Sequence, residues 1–500
     1  MKNALKLIAL LLCVTMLFSA CGGKTPTETD STTGPTQQNV SAENEASPKG
    51  DGVISLPYNE TDGLNPFFAK SNENLYICNL IFEPLFSVDK NYNITPVIAE
   101  SIAVNGTTAT VNLRTDADCR GSQPINAYDV VYSFNLAKAS YAWAGYLNGI
   151  SGATAISKFA VAFTLDYADV YAGAKLCFPV VKEGTADIQN AIPTGSGSYY
   201  VLENKLASVA DSSKTIKLYG VDTNKSSENA FKIGTTDVYF SDLSNCEYMG
   251  ITGKTEEVIL NNMVYLGLNN NNGGLNKYVR SAIAAGLNGD DIVLSSYQGH
   301  GKAVKMPVNP SAYYYEKTSA INSQGDTTLA EKILDRSGFT RYSGKAKMDD
   351  AFVLSFDLIV NRDNKYRLAA AFHIADSLNK LGFYINVLPL SFAEYNQRIS
   401  AGNYDMYLSE IKLDGSMDLS QFFLENGSLS VGVDKSSKAS TEYFRYRAGN
   451  ITAEEYYEIF AEEYPFVPVL FRNGYVATSG DIKTDLSENP FDLYKNLNNQ

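Results

Sequence analysis

The chain has 500 residues, with 41 Lys and Arg against 55 Asp and Glu, a formal net charge of −14 and a pI of about 4.8. That balance excludes the basic footprint that duplex nucleic acid requires. A composition that is 44% hydrophobic and 19% charged supplies enough apolar surface for large cores and excludes wholesale disorder.

The N-terminus reads as an address. Lys2 and Lys6 precede an apolar run from Leu7 to Phe18, which makes 1–20 a signal peptide. The run is too short and wrongly flanked for a stable spanning helix. Ser19 and Ala20 then precede Cys21, with Gly22 and Gly23 behind it. This resembles a bacterial lipoprotein cleavage box, with Phe18 where Leu is usual and Leu17 adjacent. The resemblance implies lipidation of Cys21, and two acyl chains anchor a protein stably. Residues 21–50 are polar, with Val40 the one β-branched aliphatic residue, and read as a disordered tether. No later apolar stretch reaches membrane-spanning length, so the body is expected outside the cytoplasm on the membrane surface.

From Val53 the pattern is mixed α/β. Val53–Leu56 reads as a strand ended by Pro57. Asn126 with Asp129 is a capping-box arrangement opening a helix that carries Val130, Val131, Phe134 and Ala137. A helix begins near Asn276 and presents Val279, Ala282, Ile283 and Leu287. Thr328 with Glu331 reads as another box, with Gly338 as the stop. Val353–Val360 reads as a strand. A helix over 364–381 follows and stops at Gly382, and Phe383–Leu388 is a second strand. This is a βαβ unit, which requires parallel pairing. Ser391 with Glu394 and Thr452 with Glu455 open two further helices.

Chemistry-bearing motifs are sparse. The chain lacks GxSxG, HExxH and GxxxxGK[ST]. Gly195-Ser196-Gly197 leads into Tyr199, Tyr200 and Val201, a strand rather than the helix N-terminus a phosphate cradle needs. The two histidines are His300, in a loop expected to be exposed, and His373, inside a helix. Cys78, Cys119, Cys177 and Cys246 are too far apart for a compact metal site, and leave open three disulfide pairings or four free thiols. These absences point to a binding module rather than an enzyme, with no cofactor and no resident metal.

The body resembles the family 5 solute-binding proteins of bacterial ABC transporters, the oligopeptide-, dipeptide- and nickel-binding group. The elements that carry the resemblance run in order. They are Leu64-Asn65-Pro66, Phe82-Glu83-Pro84-Leu85-Phe86, Pro96 to Ser101, Val111 to Arg114, then Gly121, Pro124, Ala127, Asp129, Val130 and Ser133. Pro193 to Tyr199 follows, with Ser198 where Pro is usual. Asn269, Arg280, Ala282 and Ile283, and finally Tyr404-Asp405, complete the series. The resemblance implies an α/β, periplasmic-binding-protein-like type II (cluster C) fold, with two main lobes around a ligand cleft and an extra third domain. It implies lobe I over 51–82, 186–262 and 468–500, lobe II over 83–185 and lobe III over 263–467. The partners implied are a short peptide and the permease subunits, with membrane contact through the lipid anchor only, and a monomeric protein.

In the peptide-binding branch of that family, an Asp after the Tyr-Asp element takes the ligand's α-ammonium. Counting from Asp405 carries that role to Asp414, with Asp418 and Glu410 as the fallback carboxylates. Asp-Gly is also a common turn dipeptide. Ile411 stands where a large aromatic is usual. Backbone at Leu413, Ser71 and Asn72 would pair with an extended peptide, and Arg398 is a candidate for a ligand carboxylate. The same fold binding a nickel chelate, an oligosaccharide or a pheromone is the alternative, and a secreted hydrolase a distant third.

Overall fold

The computed structural model describes residues 53–497 apart from 190, 249, 252, 321–324, 343–344, 349–351, 481, 483–485, 487–488 and 496. The signal peptide, Cys21 and the tether therefore lie outside the described residues. No described helix is long and apolar enough to cross a membrane.

Two hydrophobic cores form among the described residues. The first takes side chains from 56 to 240, including Leu56, Ile77, Phe86, Val111, Phe134, Phe163 and Phe240, and closes with Leu493 and Tyr494. Segments expected as lobes I and II thus share one core. The second is built mainly from 243–477, and includes Val264, Ile283, Leu358, Ile374, Leu408 and Phe466.

Two sheets contribute to the first core. In one, the strands run in the order Ser55–Asn59, Thr215–Val221, Lys205–Ser208, Tyr199–Leu202. Pro57 does not end its strand. It lies within Ser55–Asn59 opposite Tyr219, on an edge strand, where a missing N–H is tolerated. Gly195 and Gly197 lead into Tyr199–Leu202 as expected, and a Cβ would strike the Ile81 carbonyl and Phe82 ring at Gly195 and the backbone of Leu80 and Ile81 at Gly197. The second sheet pairs Ala99–Asn105, Thr108–Leu113, Ala160–Leu165 and Ile150–Ser157. Beside it packs the helix Ala127–Ala139, whose Asn126/Asp129 capping box forms in full.

The second core surrounds a seven-stranded sheet ordered Val238–Ser241, Phe466–Thr478, Lys254–Leu268, Met406–Lys412, Ser355–Asn361, Tyr384–Leu390, with Gly301–Ala303 against Phe466–Thr478. Ser355–Asn361, the helix Lys365–Lys380 and Tyr384–Leu390 make the βαβ unit, and the two strands are parallel. The helix expected to be capped by Thr328 is capped two residues earlier, with Asp326 accepting from the Leu329 N–H. Its shorter carboxylate reaches the first turn directly. The Thr452/Glu455 box forms as expected.

The two cores are joined by the antiparallel strands Lys254–Leu268 and Phe466–Thr478. Their pairing breaks register between Ile259 and Met263, opposite Phe471 to Asn473. At this break the core changes as well. Val258 and Leu260 pack into the first and Met263 to Leu266 into the second. A register break bends both strands at one level and leaves side chains there free to face a cleft.

Candidate functional site

The residues of that break open onto two adjoining cavities. Asn261 is buried and holds the floor. Its Nδ2 donates to the carbonyls of Leu413 at 3.0 Å and Asp414 at 2.6 Å, and its Oδ1 accepts from the Tyr92 hydroxyl at 2.7 Å. Asn262 points the other way and donates to Glu410 Oε1 at 2.7 Å. It lies directly opposite Lys412 in the ladder. Because side chains alternate along a strand, Glu410 and Lys412 share a face, and both line the smaller cavity.

The larger cavity, of about 320 Å³, is lined by aromatic side chains including Tyr76, Trp143, Tyr146 and Phe491, with the carboxylates of Glu83, Asp242 and Asp492 among them. Its size and amphipathic lining are those of a small-ligand site. Burial pushes the Asp492 carboxyl up to about 6 and also raises that of Glu83. Lys412 reaches toward the Tyr146 ring, 5.9 Å from its centroid, and interaction with Tyr146 raises its pKa against the lowering that desolvation brings.

The smaller cavity, of about 190 Å³, is polar. Glu410 Oε1 accepts from Arg472 Nε and NH2, both at 2.9 Å. Arg367 NH1 lies 3.7 Å from Glu410 Oε2. Asn262 and Lys412 border both cavities.

Asn72 lines the larger cavity. Ser71 does not. It caps the helix Asn72–Ile81, and its hydroxyl donates to Asp62 at 2.8 Å. The Leu413 backbone is already engaged, its N–H donating to the Asn261 carbonyl at 2.8 Å. Arg398 is a half-buried helix residue paired with Glu394 at 2.9 Å. His300 is buried rather than exposed, its ring centroid 4.3 Å from that of Tyr248 and tilted 44° to it. The four body cysteines are free thiols. Ile411 packs against the second core because strand alternation turns it away from Glu410 and Lys412.

Asp414 lines neither cavity. Its Oδ1 accepts from the Ser416 N–H and hydroxyl, each at 2.7 Å, and from the Asp418 N–H at 3.3 Å. It sits in a buried cluster that ties the 167–177 segment to the second core. Lys175 Nζ is 2.6 Å from Asp418 and 3.4 Å from Asp169. Arg447 lies 2.7 Å from Asp169, and Tyr167 and Tyr443 each donate to Asp418 at 2.7 Å. Burial alone would raise both carboxyls. It does raise that of Asp414, helped by the Asp418 charge, whereas Lys175 and Arg447 hold Asp418 far below the usual carboxylate range. The counter-charge that a ligand ammonium would bring is thus already present in Lys175.

Lys412, Asn262, Arg367 and Arg472 were not picked out from the sequence. The signal available was the alternation Glu410-Ile411-Lys412, two charges on one face of an otherwise apolar strand.

Residues 93–430 match the family model described as bacterial extracellular solute-binding proteins, family 5 middle. The oligopeptide-binding protein AppA of Bacillus subtilis (strain 168) is 22% identical over 457 residues, covering 81% of this chain and 79% of AppA. Among solved structures, the unliganded open form of the periplasmic murein tripeptide binding protein MppA superposes with a TM-score of 0.69 at 16% identity, covering 88% of this chain and 96% of MppA. NikA from Brucella suis in complex with Fe(III)-EDTA gives 0.64 at 18% identity, covering 88% and 99%. These likenesses fix the fold as periplasmic-binding-protein-like type II. With a family match extending over two thirds of its length, this chain belongs to the family 5 extracellular solute-binding proteins of bacterial ABC transporters.

Proposed function

We propose that the protein is a lipid-anchored receptor, held at the extracytoplasmic face through Cys21, that closes on a short peptide and passes it to an ABC permease. The observation that carries the reading is the placement of an amphipathic cavity of about 320 Å³ at the register break of the two strands joining the cores. A bend there moves the second core against the first and changes the volume of the cleft, a hinge motion. The peptide class is supported by the oligopeptide and tripeptide ligands in the names of AppA and MppA, and by the mixture of aromatic walls with Glu83, Asp242 and Asp492, which suits a peptide's ammonium and side chains.

Within this reading Asn72 and Lys412 face the ligand. Asp414 holds the 414–418 loop instead of meeting the α-ammonium, because its carboxylate is occupied and Lys175 supplies the opposing charge. Calorimetry with di- to pentapeptides and their N-acetylated forms tests the proposal. Saturable binding of free-amine peptides, weakened by N-acetylation, is expected. Heat from Fe(III)-EDTA with none from any peptide would move the ligand class to chelates.

A further inference from the structure

His300 stands at the register break between the joining strands. Its carbonyl accepts from the Asn473 N–H at 3.2 Å. The next residue opens Gly301–Ala303, which pairs with Arg472, Phe471 and Leu470, at the break and on its second-core side. The helix before it, Gly289–Ser296, packs into the second core through Ile292. Glu257 stands before the break, opposite Tyr475 in the ladder and next in the chain to Val258 of the first core. The two side chains meet there, with Nδ1 of His300 3.3 Å from Oε1 of Glu257. Oε2 of Glu257 accepts from Asn473 Nδ2 at 2.8 Å, so one carboxylate reaches both the imidazole and the strand at the break. The turn that delivers His300 is strained. Gln298 has a φ of 56°, a region that non-glycine residues seldom enter, and such strain collects at switch regions.

The charges around the ring are few. From the strand Phe466–Thr478, Arg472 spends Nε and NH2 on Glu410 and NH1 on the Asp242 carbonyl, and burial keeps the Tyr475 phenol protonated. From the loop after Val238–Ser241, Tyr248 lies against the imidazole and meets the Tyr475 ring edge-on at 5.3 Å, while Glu247 beside it is exposed. Lys254 and Glu256, on the strand of Glu257, pair with each other at 2.7 Å. Lys302, on the element of His300 itself, is exposed. Glu257 is thus the carboxylate in contact with the imidazole. Histidine is the side chain whose charge ordinarily changes between pH 5 and 8. A neutral imidazole offers Glu257 a weak bond at most, whereas the imidazolium makes a charge-assisted one. With the His300 side chain 11% and the Glu257 side chain 49% exposed, solvent screens the pair in part.

We infer that His300 and Glu257 form a pH-sensitive clasp across the hinge, in which the imidazolium holds the joining strands in the geometry seen here and its deprotonation frees them to bend. The sign follows from linkage. A partner gained in the clasped state raises the affinity of His300 for its proton there, so the clasp is complete in acid and is lost as the pH rises through the raised value. The inference rests on the register break acting as the hinge, and not on the class of solute captured.

The chain supplies its own probes for the test. It has two histidines, His300 and His373, and one tryptophan, Trp143, which lines the larger cavity. The imidazole resonances of the mature protein are followed by NMR from pH 5 to 8, with His373 as the internal reference. Glu257→Gln should lower the proton affinity of His300 about twofold to fivefold, or roughly 0.3–0.7 of a pH unit, and leave His373 unmoved. Trp143 emission is then followed over the same range in wild type, His300→Gln, Glu257→Gln and the double variant. Carboxyls lining the cavity titrate alike in all four proteins and cancel in the differences. A component of the wild-type emission change centred at the His300 midpoint, absent from each single variant and not altered further in the double, is expected. Glu257→Gln, at the more exposed partner, carries the test if His300→Gln fails to fold. A His300 midpoint equal in wild type and Glu257→Gln would overturn the pairing, and emission profiles that coincide in all the variants would overturn the clasp. Neither readout uses a solute, so failure of every peptide to bind in calorimetry would reject the peptide class and leave this inference standing.

Discussion

Lys175 shows how one side chain decides what its neighbours can do. It is 1% exposed and holds Asp418 at 2.6 Å, and with Arg447 it offsets three carboxylates buried between the two cores. Lys175→Met would leave those carboxylates short of a partner, which typically costs about 3–5 kcal/mol. Chemical denaturation should show a loss of that order. Asp492 makes a pH-dependent prediction. Its folded pKa of about 6 lies above the ordinary 3.8, so the stability it contributes is full below 3.8 and is lost as pH rises through 6. Relative to Asp492→Asn, the wild type should lose up to about 3 kcal/mol between about pH 4 and about pH 7.5, measurable as a converging and then inverted difference in denaturation midpoints. Asp414 is the residue whose role sequence could not settle. Counting from Asp405 leads to Asp414, but gives no sign of Lys175, more than two hundred residues away in sequence, which pairs with the neighbouring Asp418 in the same buried cluster.

The register break is the element on which the cleft depends. Local signals carried much of what surrounds it. The boxes at Asn126 and Thr452 form where Ser/Thr/Asn and an acid three residues later place them, and hydrophobic alternation with a stop at Gly382 gives the βαβ unit. The break itself has no such signature. Asn261 and Asn262 lie in the middle of the strand Lys254–Leu268, and they matter only because Leu413, Tyr92 and Glu410 come to meet them through long-range pairing. Asn261→Leu should therefore be costly for a nearly isosteric change. It strands the Leu413 and Asp414 carbonyls and the Tyr92 hydroxyl at ~1–3 kcal/mol each. A lowered melting temperature together with altered ligand affinity is expected, whereas a change in affinity alone would mean that Asn261 contacts the ligand directly.

At the scale of the whole molecule, the sequence resemblance predicted the family and fold class, and the structure adds where the halves divide. The segments 51–82, 83–185 and 186–262 share a core, so the first two lobes are expected to move together against the second core. Their joining strands break register at 259–263 and 471–473. The account centres on capture of a solute in the cleft at that bend, and native mass spectrometry of the purified mature protein beside Asn72→Trp tests it most directly. Asn72 lines the larger cavity behind the Ser71 cap, so a bulky indole there fills the space without removing the cap. The prediction is a discrete small-molecule adduct on the wild type, retained from the cell or acquired from a peptide mixture, and its loss from the folded variant. An adduct of equal abundance on both proteins would contradict the account, since the solute would then be held somewhere other than this cleft.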